Sequence, residues 1–261
     1  MRILWRIIPF LLVTLFWYAY QYWLPILLNS LDQKNELANA GTFGDSYGAL
    51  NTLFSGLAFA GIIVSIFLQS QELKETREEL KGQKEQLERQ AFENAFFQLL
   101  RLQNQIVEST QYKSQFYPNS DNSGQLSLKR IKDDFVQKYI NENIVNIGST
   151  IEKYEHFYNY YAHWYLGHYF RNLYQILKYV HYSNVDNKKF YTNIVRAQLS
   201  SDALFLLFYN TLSKNGKDKF YPLIIEYQLL EHLPVEGIDK NEASKYDSGA
   251  FGDSAEWKAY L

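Results

Sequence analysis

The stretch SYGALNTLFSGLAFAGIIVSIFLQSQ, residues 46–71, contains no ionised side chain. As an α-helix rising about 1.5 Å per residue, it is long enough to cross the hydrocarbon layer of a bilayer, which is about 30 Å thick. Asp45 or Ser46 can cap its first turn and satisfy amide groups that lipid would leave unpaired. This stretch therefore predicts a membrane-spanning helix.

A second uncharged run, residues 7–28, lies closer to the N-terminus. Its second half is rich in Trp and Tyr, and Trp5 precedes it, a distribution typical of the two interfaces between lipid and water. A cleaved signal peptide is disfavoured because the run is too long and too aromatic and no A-x-A-like site follows it. We therefore predict a two-helix transmembrane hairpin over residues 1–71.

Of the eight lysines and arginines near this hairpin, seven lie outside its connecting loop. Two precede the first run and five follow the second, whereas the loop contains Lys34 alone; the seven flanking residues are Arg2, Arg6, Lys74, Arg77, Lys81, Lys84 and Arg89. Because basic residues are retained on the cytoplasmic side, both termini and the main domain are expected to be cytoplasmic, at a bacterial inner membrane.

Small residues recur at a spacing of four in the second run: Gly56 and Ala60, then Gly61 and Ser65. Small side chains allow helix backbones to approach closely in lipid, where no hydrophobic effect drives helices together. The pattern predicts a helix-packing face. Packing against the first span and dimerisation through the same face both remain open.

Residues 72–90 are rich in strong helix formers, with acidic and basic side chains interleaved, and predict a helical stalk. Leu73, Leu80 and Leu87 recur every seven residues, but the companion seam positions hold Arg77 and Lys84, so the heptad pattern is incomplete. A weakly pairing coiled coil and a solvated single helix are both compatible with this pattern.

A broad apolar face begins after the stalk and predicts an all-α cytoplasmic domain over residues 91–233. Phe92, Phe96, Leu99, Leu100 and Ile106 form the first part of that face. Helices are expected at 127–145, 152–166, 170–180, 194–199, 202–212 and 220–233, with Ser149 and Glu152 as a capping box. The C-terminal tail, residues 234–261, is expected to be loosely ordered or to dock through Phe251 and Trp257.

Composition restricts the chemistry that this chain can carry. The net charge of -2 and the pI near 6.2 give no basic excess, so no nucleic-acid partner is expected. The chain has no cysteine, which removes thiolate metal sites and thiol nucleophiles. His156, His163 and His168 lie close together in the sequence, but without further ligands they are expected to be ordinary core histidines. No cofactor, metal or evident catalytic residue is predicted.

Four segments carry a family resemblance. They are FGDSYGALNTLFSGLAFAGIIVSIFLQ at 43–69, FENAFFQLLRLQNQIV at 92–107, GHYFRNLYQILKYV at 167–180 and RAQLSSDALFLLFYN at 196–210. With them the sequence resembles the phage abortive infection proteins labelled AbiC-like, over about a third of the chain. The resemblance implies a membrane-linked role in bacterial defence against phage and supplies no established catalytic residues.

An alternative is a membrane-tethered ribonuclease of the HEPN type, since several abortive infection proteins are of that kind. Its motif resembles Arg171-Asn172, but the next histidine, His181, is too far along the helix, and His168 stands in reversed order. We predict instead that Arg171, Arg196 and Gln198 belong to polar networks at the edge of the core. The expected function is non-catalytic sensing or killing at the membrane. The expected partners are the lipid bilayer, a second copy of the chain, and a phage or defence protein.

Overall fold

The computed structural model describes residues 2–30, 41–114, 122–142 and 148–261. Nearly all ordered segments in these ranges are helical, and their one extended pairing is an isolated bridge between Gln111 and Ser123. The predicted all-α fold class is confirmed.

The described part of the chain contains the following helical elements in order. They are α1 (Arg2–Ser30), α2 (Gly41–Ser109), α3 (Gln125–Phe135), the π-helical turn π1 (Val136–Asn141), α4 (Thr150–Phe157), the π-helical turn π2 (Tyr158–Ala162), α5 (His163–His181), α6 (Lys188–Ala197), α7 (Ser201–Leu212), α8 (Tyr221–Glu226), α9 (Lys240–Ala243), a 3-10 turn (Ser248–Phe251) and α10 (Ala255–Tyr260).

The chain divides into two compact units, residues 1–86 and 87–261, and α2 contributes to both. The second unit begins four residues before the start predicted for the helical domain. It also contains the whole C-terminal tail, which the sequence analysis treated as a separate segment.

In the first unit, one helix of the described part of the chain is long and apolar enough to cross a membrane by length and composition. It is the part of α2 that begins at Asn51, where mean hydropathy reaches 1.9 and only 6% of the apolar window is buried. The first apolar run also forms a helix, α1, and its described apolar part, Ile7–Trp23, lies at the lower end of the lengths that can span a membrane. The two-helix hairpin therefore stays a prediction.

The four small residues of the predicted packing face of α2 form two pairs that lie on different surfaces of the helix. A Cβ atom placed on Gly56 would lie 3.0 Å from Val13 Cγ1 of α1, and Ala60, one turn further, is buried. Gly61 has no atom within 4 Å of such a Cβ, and Ser65 is exposed. Since successive residues on a helix are about 100° apart, the second pair presents a separate surface.

The segment between the apolar run and the domain is a solvent-exposed part of α2. Leu73, Leu80 and Leu87 are 54%, 57% and 64% exposed, and the charged residues between them are exposed as well. The leucine seam therefore packs against nothing within the described chain and stays a prediction.

The second unit is held together by an aromatic core. The Phe92 ring of α2 stacks on Tyr179 of α5 at 5.1 Å and meets Tyr191 of α6 edge-on at 5.0 Å. Every residue of α7 from Ala203 to Leu212 is buried, as its largely apolar sequence predicts, and the polar Asn210 and Thr211 are buried with the rest. Two segments of the family resemblance, 92–107 and 167–180, thus pack against each other.

The structure joins the predicted helices at 152–166 and 170–180 into one run. The π-helical turns interrupt the predicted helices at 127–145 and 152–166. The expected helices at 152–166 and 170–180 form a single run from Thr150 to His181 through π2, and the capping box of Ser149 and Glu152 is present. The expected helix at 127–145 changes to π1 after Phe135. The turn π1 contacts the run from Thr150 to His181 at two places, because the Tyr139 hydroxyl lies 2.8 Å from His156 Nδ1 of α4 and the Lys138 ammonium lies 3.9 Å from the Tyr161 ring of π2.

The prediction of one helix over 220–233 is wrong. α8 ends at Glu226, and Gln228 adopts a left-handed φ of 53°, which an α-helix does not allow. The chain that follows bonds to the tail instead, since the Leu230 amide donates to the Ala250 carbonyl at 3.1 Å.

The tail docks through the two residues named from the sequence. Phe251 and Trp257 are buried, their rings stack at 4.0 Å, and Trp257 Nε1 donates to the Leu233 carbonyl at 2.7 Å. The structure therefore confirms docking of this segment, and not the loosely ordered alternative.

Candidate functional site

A small cleft opens between α2, α5 and α6 in the second unit. Its ten lining residues fall into an apolar group and a carboxamide group. The apolar walls are Leu100, Val107, Tyr169, Leu173, Val195 and Leu199, and the carboxamides are Gln103, Asn104, Gln125 and Gln198. None of these lining residues carries a charge, so the cleft suits an uncharged polar group rather than an ion.

The orientation of the Gln103 side chain follows from its neighbour Asn172. Asn172 Nδ2 donates to the Leu99 carbonyl at 3.3 Å and to Gln103 Oε1 at 2.8 Å. Because a backbone carbonyl can only accept, the Asn172 nitrogen must face α2, and the Gln103 oxygen must then face Asn172. The Gln103 amide nitrogen, Nε2, therefore points away from Asn172.

That nitrogen is a buried donor without an acceptor. Gln103 is only 5% exposed, and its Nε2 has no hydrogen-bond partner in the described part of the chain. The Tyr169 hydroxyl is its neighbour: burial raises the pKa of Tyr169, and the interaction of its hydroxyl with the Gln103 side chain partly offsets this.

The inner end of the cleft is narrow and neutral. Its enclosed volume is about 10 Å³, enough for a single water molecule or one ligand oxygen. Burial raises the pKa of Tyr169 above its ordinary value, so its hydroxyl stays protonated at neutral pH. The Gln103 amide and the Tyr169 hydroxyl both lie at this inner end and are shielded from solvent.

The outer rim of the cleft is formed by three exposed carboxamides, those of Asn104, Gln125 and Gln198. Each of them can donate and accept hydrogen bonds. The rim carboxamides are the accessible polar groups of the cleft, because Leu100, Val107, Leu173 and Val195 behind them are buried.

The residues of the ribonuclease alternative do not form one cluster. Asn172 points toward α2, as described above, whereas Arg171 is exposed next to Tyr158. Burial raises the pKa of Tyr158, and the Arg171 charge partly offsets this. His168 is half-buried one turn earlier on α5. His181 lies at the far end of α5, where its Nδ1 is 3.0 Å from the Tyr227 hydroxyl.

The three predicted polar-network residues are also separated. Arg196 forms an ion pair with Glu231 and donates to the Gln228 carbonyl at 3.2 Å, at the turn after α8. Gln198 lies at the cleft rim and Arg171 on the surface of α5. The structure places only Arg196 in a side-chain ion pair.

The histidines of the aromatic segment occupy different surroundings. His156 bonds to Tyr139 and lies against the Tyr160 ring at 4.4 Å, and His163 Nδ1 is buried without a described partner. Within the described ranges, no group of three or more His, Asp or Glu side chains is placed to hold a metal ion.

Comparison with known proteins finds one region of similarity. Residues 161–238 match the model of a family described as "Putative phage abortive infection protein". The match includes the cleft residues Tyr169, Leu173 and Gln198, and it confirms the resemblance stated from the sequence. The resembling segments 43–69 and 92–107 lie outside it. No curated protein and no solved structure matches the chain.

Proposed function

We propose that this chain, through its phage abortive infection segment, is a membrane-anchored defence protein that senses infection or acts on the membrane by association rather than by catalysis. The family match over residues 161–238 supports the defence role. The apolar, exposed part of α2 from Asn51 supports the anchor, since an exposed apolar helix of that length is costly in water.

The proposal includes a hairpin of two spans with both termini in the cytoplasm. Alkaline phosphatase fused after Ala38 should be active, because the loop would be exported, and the same enzyme fused after Arg89 should be inactive. The measurement is phosphatase activity at matched expression. The reverse pattern would place the helical domain outside the cell and remove an intracellular defence role.

The two small-residue pairs of α2 should respond differently to added bulk. Gly56→Leu would press on Val13 of α1 and should disturb the hairpin itself. Gly61→Leu meets open space, so it should leave the hairpin intact and block only close approach of another chain.

If protection depends on assembly through the Gly61 and Ser65 surface, Gly61→Leu should abolish protection against phage and prevent the collapse of membrane potential during infection. Membrane fractionation should show normal insertion of this variant. Full protection by Gly61→Leu would mean that the surface is not used for association and that the hairpin serves only as an anchor.

The ribonuclease alternative predicts a different outcome for the purified chain. Incubation of the full chain with total RNA should give no dose-dependent cleavage, because Arg171 and Asn172 face different surroundings and His181 is held at Tyr227. Cleavage that disappears in Arg171→Ala would overturn the non-catalytic proposal. Arg101→Ala, which removes an exposed arginine of α2, is the matched control.

A further inference from the structure

We infer that the stalk of α2, residues 72–90, pairs in parallel and in register with the stalk of a second copy of this chain. The inference rests on the proposed membrane anchor only for the shared orientation of the two copies, and on no part of the defence role. The features that support it are three exposed leucines and the charges on either side of them.

The three leucines form an apolar stripe that the chain itself leaves uncovered. Leu73, Leu80 and Leu87 are 54%, 57% and 64% exposed, and the residues between them are exposed as well. A spacing of seven keeps such residues on the seam between two helices that wind around each other. Because burial of apolar surface is favourable, a second helix that covers the stripe would be stabilising.

Opposite charges lie on the two sides of this stripe. In a heptad labelled a to g, positions a and d form the seam and positions e and g flank it. With the leucines at a, Glu72 and Glu79 lie at g, whereas Arg77 and Lys84 lie at e. The d positions are then uncharged, and they hold Thr76, Gln83 and Gln90. This register therefore keeps every ionised side chain out of the seam.

The flanking charges select a parallel orientation. In a parallel pair, each g residue faces the e residue five positions further along the other helix, so Glu72 would meet Arg77 of the second copy and Glu79 would meet its Lys84. An antiparallel pair would instead bring glutamates together on one side and basic residues together on the other. Two copies anchored by the same apolar part of α2 also run in the same direction at equal depth.

The stalk helix does not supply three of these charges with opposite charges of its own. Side chains on a helix reach one another from positions three and four residues apart. Around Arg77 these positions hold two leucines and two lysines, and around Glu72 and Glu79 they hold no basic residue. The opposite charges that complement these three residues are therefore available on a second copy and not on the same helix.

Disulfide crosslinking tests the register directly, because the chain contains no cysteine. Two thiols form a disulfide only where their Cα atoms come within about 7 Å. In detergent-free lysate that contains the full chain, Thr76→Cys and Gln83→Cys should each give a dimer on mild copper-phenanthroline oxidation, since a parallel seam places each d position beside its copy. The matched controls are Glu78→Cys and Glu85→Cys on the outer face, which should give little dimer on a non-reducing gel.

Charge reversals test the contacts beside the seam, with the rate of dimer formation by Thr76→Cys as the measurement. Glu79→Lys should slow crosslinking several-fold, because repulsion replaces attraction at two symmetric contacts. Adding Lys84→Glu should restore the rate, since opposite charges then face each other in exchanged places. Glu78→Lys makes the same charge change on the outer face and should leave the rate unchanged.

Three results would each overturn the inference. The first is crosslinking that is absent at the seam positions or equal at seam and outer positions. The second is an equal rate for Glu79→Lys and Glu78→Lys, and the third is a charge exchange that gives no recovery.

Phage plating on cells that express the parent keeps this result separate from the proposed function. Protection by a parent whose seam variants do not crosslink would remove the paired stalk and keep the defence role. Seam crosslinking without protection against any phage tested would support the paired stalk and contradict the defence role. Seam crosslinking of a chain that fractionates with soluble proteins would support the pairing and contradict the anchor.

Discussion

Trp257→Ala should lower the free energy of unfolding by about 3–5 kcal/mol, the range for truncating a large buried aromatic side chain. The Trp257 ring is 1% exposed and stacks on Phe251, and its indole N–H donates to the Leu233 carbonyl. The substitution therefore removes packing and also leaves a buried carbonyl without its donor. Chemical denaturation of the full chain, followed by circular dichroism, measures the effect.

Trp164→Ala is the matched control for that prediction. Trp164 is 75% exposed on α5, so its truncation should change stability by less than about 0.5 kcal/mol. Equal effects of the two substitutions would mean that the C-terminal segment does not belong to the core of the helical domain.

Arg196→Met should destabilise the chain by about 2–3 kcal/mol, somewhat less than the loss of a fully buried ion pair. The Arg196 and Glu231 side chains are 13% and 22% exposed, so removal of the guanidinium leaves a poorly hydrated carboxylate. It also removes the bond to the Gln228 carbonyl, which holds the left-handed turn after α8. The measurement is the denaturant concentration at the midpoint of unfolding, compared between the variant and the parent when their unfolding transitions have equal m values.

The control is Lys258→Met, which breaks the pair with Asp253, where the two side chains are 62% and 93% exposed. An exposed pair contributes at most about 1 kcal/mol, so this change should be nearly neutral. Adding Glu231→Leu to Arg196→Met should recover part of the loss, because no unpaired charge then remains. A double variant less stable than Arg196→Met alone would contradict this account of the pair.

Periodicity was sufficient to predict the all-α fold and the buried character of α7, because local apolar patterns report helix faces directly. It could not predict where α8 ends. The residues from Tyr221 to Leu233 have a helical pattern throughout, but the Gln228 carbonyl bonds to Arg196 and the Leu230 amide bonds to Ala250. Such bonds depend on distant parts of the chain, and they outweigh local propensity.

The sequence contains one signal of the contact between α2 and α5. Phe96, Leu100, Gln103 and Val107 follow one helical stripe of α2, and the only polar member of that stripe is Gln103. A carboxamide at an apolar position requires a partner within the core, and Asn172 supplies one by donating to the Gln103 oxygen. The contact with Asn172 could not be predicted, because it depends on how α5 packs against α2.

The most direct test of the central claim is phage plating on cells that express the full chain or its Phe59→Lys, Ile62→Lys variant. Both side chains are exposed on the apolar part of α2, at 65% and 57%, so the lysines should block insertion without disturbing the contact at Gly56. Phe59→Leu, Ile62→Leu is the control. We expect the parent and the leucine variant to insert and to protect cells against at least one phage, and the lysine variant to do neither. Equal protection by the lysine variant would contradict a membrane-anchored mechanism, and absence of protection by the parent would contradict the defence role.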